Sequence, residues 1–248
     1  MNTIDIAMPT MWFVDGFTDL LNSYIQSEYI NNIFLIDNNR NHRPKNLPKH
    51  EKLNLIDYGR NIYCNPAWNE GYYRSQADII GLFSDDVIVH DDIFKLVAEA
   101  DITDIDLIGV ALKGTEDNFH IDDSFYNSDT LSKLEVLKSR PIGEQAWAFG
   151  TCMFAKRKTY KVIPSLYQIW YGDDYLVQKS KNIYVLKTNK IIGEVSKTLM
   201  CLHDDEDVQR RIALDALNVY NFNHFKNGKN WENVTDTLKA RTKFILKR

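Results

Sequence analysis

The chain has little cysteine: Cys64, Cys152 and Cys201 are the only three in 248 residues, and none form a CxxC pair. An odd count without paired spacing argues against a disulfide framework and a thiolate zinc site, so buried thiols are expected. Long apolar runs are missing as well. Ile79 to Phe83 and Ala146 to Phe149 are among the longest, far too short to cross a bilayer, and no basic-then-hydrophobic leader opens the chain. A cytoplasmic protein without a transmembrane segment is expected. An excess of one charge is lacking too: 30 Lys and Arg against 34 Asp and Glu leave −4, with no global pull toward nucleic acid or anionic lipid. The local exception is the C-terminus, where Lys239, Arg241, Lys243, Lys247 and Arg248 gather on a short amphipathic segment. A solvated helix face is the ordinary account of that cluster, and a surface for a polyanion or membrane is the alternative.

What is present reads as one globular domain. Hydrophobic residues make up 44% and charged residues 26%, no repeat is visible, and no Pro/Gly/Ser-rich stretch marks a linker. Thr3 to Met8 alternates as a strand closed by Pro9, and Val14, Phe17, Leu21 and Tyr24 then recur at helical spacing. Ile33 to Ile36 and Leu53 to Ile56 read as strands, Trp68 to Gln76 as a helix, and Ile79 to Phe83 as the strongest strand. Asp106 to Val110 and Ala148 to Phe154 are further strands, and a helix running to Lys181 follows Asp173 and Asp174. Val208, Ile212, Ala216, Val219 and Phe222 form one helical stripe, begun by Asp204 and Asp205. Alternating strands and helices predict an α/β fold with a mostly parallel central sheet flanked by helices. The division expected is a main domain over 1–204 and a helical C-terminal extension over 205–248, packed on the same domain.

In such sheets ligands bind at the carboxyl ends of the strands. Polar clusters fall there: Pro9 and Thr10 after the first strand, Asp37 to Asn39 after the second, and Ser84, Asp85 and Asp86 after Ile79 to Phe83. The acidic, aperiodic stretch Glu116 to Asp129 is a candidate lid.

The segment Asn69-Glu70-Gly71, followed by Ala77-Asp78-Ile79-Ile80-Gly81-Leu82-Phe83-Ser84-Asp85-Asp86-Val87, resembles the family 2 glycosyltransferases of the GT-A (nucleotide-diphospho-sugar transferase) fold. There an Asn-x-Gly helix leads into an apolar strand ending in a DxD motif, and here Ser84 replaces its first acid. Ile36-Asp37-Asn38-Asn39, Trp147-Ala148-Phe149-Gly150-Thr151-Cys152-Met153 and Trp170-Tyr171-Gly172-Asp173-Asp174-Tyr175-Leu176 are similar to further motifs of that family. The likeness runs from Thr3 to His203, and nothing after His203 has a counterpart.

The resemblance implies a metal-dependent, inverting transfer of a hexose or pentose from a nucleoside diphosphate sugar, a UDP-sugar by the commonest precedent, to an acceptor hydroxyl. A leaving diphosphate needs a hard cation, Mn²⁺ or Mg²⁺, held through carboxylates. Asp86 is the expected ligand, with His203 added and Asp85 toward the ribose or supporting the metal. Pro9, Thr10, Asp37, Asn39, Asn69 and Gly71 complete the expected donor site. An attacking hydroxyl must lose its proton to a nearby base, Asp174 or else Asp173. Trp147, Trp170 and Tyr171 are the expected acceptor contacts. A surface glycan, a lipid-linked sugar or a hydroxylated DNA base of a bacterial virus would each suit as acceptor, placing the protein in a bacterial cytosol or a virus-infected bacterial cell.

Each of these residues has an ordinary reading too. Paired acids after a strand cap helices, an Asp-Asn-Asn run makes turns, a lone histidine lies beside a cap, and aromatics near strands are usually core. Two other functions compete. A sugar nucleotidyltransferase would need a Gly-rich first loop for a triphosphate, and Met8-Pro9-Thr10-Met11-Trp12 has no glycine cluster. A non-catalytic nucleotide- or carbohydrate-binding module would have no need of Asp86 together with Asp173 and Asp174.

Overall fold

A computed structural model describes residues 1–111, 133–136, 150–188, 191–193 and 205–222. Its strands are β1 (Ile4–Thr10), β2 (Ile30–Asp37), β3 (Leu53–Asp57), β4 (Ile79–Phe83), β5 (Val87–Val89), β6 (Leu107–Ala111), β7 (Lys133–Val136), β8 (Cys152–Lys156), β9 (Ile183–Lys187) and β10 (Ile191–Gly193). The helices are α1 (Phe17–Gln26), α2 (Cys64–Arg74), α3 (Asp91–Glu99), α4 (Gly172–Lys179) and α5 (Glu206–Phe222). Eight strands form one sheet in the order β3-β2-β1-β4-β8-β6-β9-β7, and β5 pairs with β10 in a separate ribbon. Only β8 and β7 run against the rest, so the sheet is mostly parallel, as expected.

Burial on both faces explains the near-continuous apolar strands. Ile4, Ile6 and Met8 of β1 join Leu21 and Tyr24 of α1 and Phe94 of α3 in one core. Ala7, Ile80 and Leu82 turn to the opposite face and meet Trp68 of α2, Leu176 of α4 and Ala216 of α5. Helix α2 lies so close to β1 that a Cβ on Gly71 would fall 2.1 Å from the Ala7 Cβ. Glycine there is a packing requirement.

Several boundaries differ from the sequence pattern: α2 runs Cys64–Arg74 instead of Trp68 to Gln76, β2 starts at Ile30, and α4 ends at Lys179. Strand β1 continues through Pro9 to Thr10 instead of closing at Pro9, pairing Pro9 with Ile36 and Thr10 with Asp37. The Thr10 carbonyl faces β2, where it accepts from the Asn38 N–H, so the alternate residue Pro9 faces the β4 side. Pairing with β4 has already ended there at Ala7, and the missing proline N–H interrupts no ladder. Strand β8 starts at Cys152, because Gly150 and Thr151 form a turn. Asp91 and Asp92 form the acidic first turn of α3, which His90 caps. The lid candidate Glu116 to Asp129, together with Trp147 and His203, lies outside the described residues. Among the described residues no helix is long and apolar enough to cross a membrane.

Candidate active site

The carboxyl ends of β1, β2 and β4 meet on one side of the sheet. Asp85 and Asp86 follow β4 directly, and each is only 5% exposed. The Thr10 hydroxyl donates to Asp85 Oδ2 at 2.8 Å, and the Met11 N–H approaches the same oxygen at 3.4 Å. The end of β1 thereby orients the first acid of the motif. Burial raises the Asp85 carboxyl to about 6; the Thr10 bond opposes that rise and the Asp86 charge adds to it. Both acids line a small recess with Val14, Asp15, Phe17 and Ile88, at the start of α1.

The second acidic pair opens α4. Asp174 is buried, whereas Asp173 is half-buried and accepts the Gly150 N–H on Oδ2 at 3.0 Å. Desolvation drives the Asp173 carboxyl upward, against the lowering effect of the backbone N–H groups around it. Cys64, the first residue of α2, sits within the fields of Asp173, Asp85 and Asp86. Burial first, and these three charges after it, push its thiol up, so it is a neutral group among acids. Cys64 thus lies within electrostatic reach of Asp85 and Asp86 on one side and of Asp173 on the other.

Asp37, expected at the donor, makes contacts within the protein. Its side chain has no exposed surface. Oδ1 accepts from the Trp12 indole at 2.7 Å and the Asn39 N–H at 2.9 Å, while Oδ2 lies 2.8 Å from Arg43 Nε. Arg43 also pairs with Asp57, whose Oδ2 Arg40 contacts as well. A nucleobase contact from Asp37 would require this arrangement to open. Asn69 is likewise engaged internally: Nδ2 donates to the Ile163 carbonyl, and Oδ1 accepts from the Tyr160 hydroxyl and the Ile163 N–H. Its position in α2 thereby braces the 160–163 turn. Pro9 and Thr10 stand at the β1 end beside Asp85, and Asn39 precedes the short turn Arg40–His42.

Trp170 is half-buried, Tyr171 is buried, and their rings meet edge-on at 6.2 Å. Tyr171 has φ 64°, Trp12 φ 67° and Tyr63 φ 66°; among the described residues these are the non-glycine residues with left-handed φ. One follows β1, one precedes α2 and one precedes α4, so the backbone strain is concentrated around the site. Three members of this surround, Arg43, Cys64 and Tyr63, had no individual signal in the sequence. Asp215 alone left a trace, an acid standing between Ile212 and Ala216 on the apolar side of a helix.

The donor set fits a divalent cation shared with a ligand. Adjacent buried carboxylates at a strand end suit a hard ion that takes its remaining oxygens from phosphate and water. Among the described residues no group of three or more His, Cys, Asp or Glu side chains is disposed to hold an ion.

No protein-family model and no curated protein sequence matches the chain. Solved structures do. A TarS fragment from S. aureus spanning 1–349 is 15% identical, with a TM-score of 0.51 over 99% of this chain and 73% of that one. The mannosyltransferase PcManGT from Pyrobaculum calidifontis, in complex with GDP-Man and Mn²⁺, is 11% identical, with a TM-score of 0.59 over 99% and 70%. GalNAc-T7 with UDP, GalNAc and Mn²⁺ is 9% identical, with a TM-score of 0.51 over 78% and 44%. The chain has the GT-A glycosyltransferase fold.

Proposed function

We propose that this protein is a glycosyltransferase that moves one sugar from a nucleoside diphosphate sugar, a UDP-sugar in the first instance, to an acceptor hydroxyl with inversion. One observation carries the reading: Asp85 and Asp86 after β4 and Asp173 at the opening of α4 all lie within electrostatic reach of Cys64. Fold likeness alone would not do so, because folds host many functions and activity must be argued from the site.

Asp86, supported by Asp85, would hold the cation, and His203 would complete its protein ligands. When bound, that cation neutralises charge developing on the leaving diphosphate. Thr10 fixes the Asp85 carboxylate and so the side of the donor site next to β1. Across the cleft, Asp173 is the better placed base. Desolvation raises its carboxyl above the ordinary carboxylate value, the direction a general base needs. The Gly150 N–H holds its Oδ2 in place. Asp174 then anchors the first turn of α4. Attack assisted from the face opposite the diphosphate inverts the anomeric carbon in one displacement. Trp170 and Tyr171 border the acceptor side.

A thermal-shift panel of UDP, GDP and their sugars with Mn²⁺, Mg²⁺ or EDTA tests the donor half, since a ligand that binds only the native state raises the midpoint. A cation-dependent rise with one nucleotide is expected. No rise with any member would refute the donor site.

A further inference from the structure

Asp215 lies on α5, 1% exposed, in a stretch with no counterpart in the family resemblance. A buried carboxylate on an otherwise apolar helix face needs strong compensation. It has it: the N–H groups of Gln168, Ile169 and Trp170 all donate to it, at 3.0, 2.8 and 3.0 Å. Three consecutive amides on one carboxylate form a concave backbone nest, a shape an extended chain does not take. The next residues are Tyr171, in the left-handed region, then Gly172 and the acidic pair Asp173-Asp174.

Other contacts bind the same turn from both sides. Asn218, also on α5, donates to the Leu166 carbonyl at 2.9 Å. Asn65 of α2 donates its N–H to the Gln168 carbonyl at 3.0 Å and its Nδ2 to the Trp170 carbonyl at 3.1 Å. Gly172 has no room for a Cβ, which would fall 2.0 Å from Asn65 Oδ1. At the first turn of α5, Asp207 accepts from the Tyr63 hydroxyl, and Arg211 lies 5.4 Å from the centre of the Tyr63 ring. Helix α5 therefore touches the turn before α2, which presents Cys64, and the turn before α4, which presents Asp173.

We infer that Asp215 is a positioning residue for the transfer reaction: its carboxylate curls the 168–170 backbone and thereby sets where Asp173 stands relative to Asp85 and Asp86. This rests on the glycosyltransferase reading above. Docking of α5 by itself does not need the charge, because Val208, Ile212, Ala213 and Ala216 are already buried. An asparagine keeps one acceptor oxygen and turns an NH₂ toward N–H groups, so Asp215→Asn breaks the nest while keeping the volume.

The test measures three things on full-length wild type, Asp215→Asn and Asn218→Ala. They are UDP and GDP affinity with Mn²⁺ by calorimetry, release of nucleoside diphosphate from UDP-GlcNAc and GDP-mannose, and amide hydrogen exchange over 166–175. For Asp215→Asn we expect faster exchange at 168–170, nucleotide affinity within about twofold of wild type, and a fall in kcat of about tenfold or more, as for a misplaced reacting group. Asn218→Ala, which loses a single bond, should move the same way by a smaller factor and decides the matter if Asp215→Asn does not fold. Folded variants with wild-type kcat would overturn the inference, as would equal losses of nucleotide affinity and kcat. A wild type that neither binds UDP or GDP nor releases either one overturns the transferase reading and this inference together. An active wild type beside unaffected variants overturns this inference alone.

Discussion

Replacing Asp85 by asparagine should stabilise the metal-free protein, and only above the pH at which Asp85 ionises. Its carboxyl is raised from 3.8 to about 6, chiefly by burial. The folded state therefore holds this proton more tightly than the unfolded state does. Between about pH 4 and pH 6 the folded protein binds more protons, so this group's contribution falls as pH rises through that window and is flat above it. Roughly two pH units at about 1.4 kcal/mol each give about 3 kcal/mol of destabilisation in wild type at pH 8. Asparagine carries no charge to desolvate and keeps an acceptor for the Thr10 hydroxyl. The difference between variant and wild type should be close to zero at pH 4 and about 2 to 3 kcal/mol at pH 8, or about 4 to 12 °C in Tm for a chain of this size. Urea denaturation in EDTA at both pH values measures it. An equal difference at the two pH values, or a variant less stable at pH 8, would refute the argument that Asp85 is a desolvated acid.

Other expectations follow from single contacts. Arg43→Ala would leave the unexposed Asp37 carboxylate without its guanidinium partner and should cost about 3 kcal/mol, read as a lower urea midpoint; an unchanged midpoint would show that water or another donor takes over. Gly71→Ala places a methyl 2.1 Å from the Ala7 Cβ and should destabilise by at least 1 to 3 kcal/mol through displacement of α2 from β1, measured by thermal melting. Cation-dependent nucleotide binding should weaken about tenfold per pH unit below pH 6 in wild type, since the proton on Asp85 competes with the metal; a titration of Mn²⁺-dependent UDP affinity from pH 5 to 8 checks the slope.

The parts legible in the sequence were those that obey local periodicity. Ile79 to Phe83 is an uninterrupted apolar run with polar residues after it, and the strand occupies those same residues. The stripe Val208, Ile212, Ala216 was legible for the same reason, and Asp205 caps that helix by accepting from the Asp207 and Val208 N–H groups. The ribbon of β5 and β10 was not, because three-residue strands carry too little pattern to separate from turns. In the site, motif spacing located the two acidic pairs but could not say what their neighbours do. Asp37 is expected at the donor because Ile36-Asp37-Asn38-Asn39 resembles a motif of the family 2 glycosyltransferases. Arg43, six residues later, returns to pair with it, and no local pattern encodes that return. Asp215 is the inverse case: an acid on an apolar stripe signals a buried partner, but the partner is a set of backbone amides about 45 residues earlier.

The most direct test of the two-motif site compares Asp86→Ala and Asp173→Asn with wild type, measuring Mn²⁺-dependent nucleotide affinity and nucleoside diphosphate release from the same donor. The account predicts that Asp86→Ala loses both, whereas Asp173→Asn binds normally and releases almost nothing. Normal release by Asp173→Asn, with loss in Asp174→Asn, would move the base to Asp174. Undiminished cation-dependent binding by Asp86→Ala would contradict the central claim.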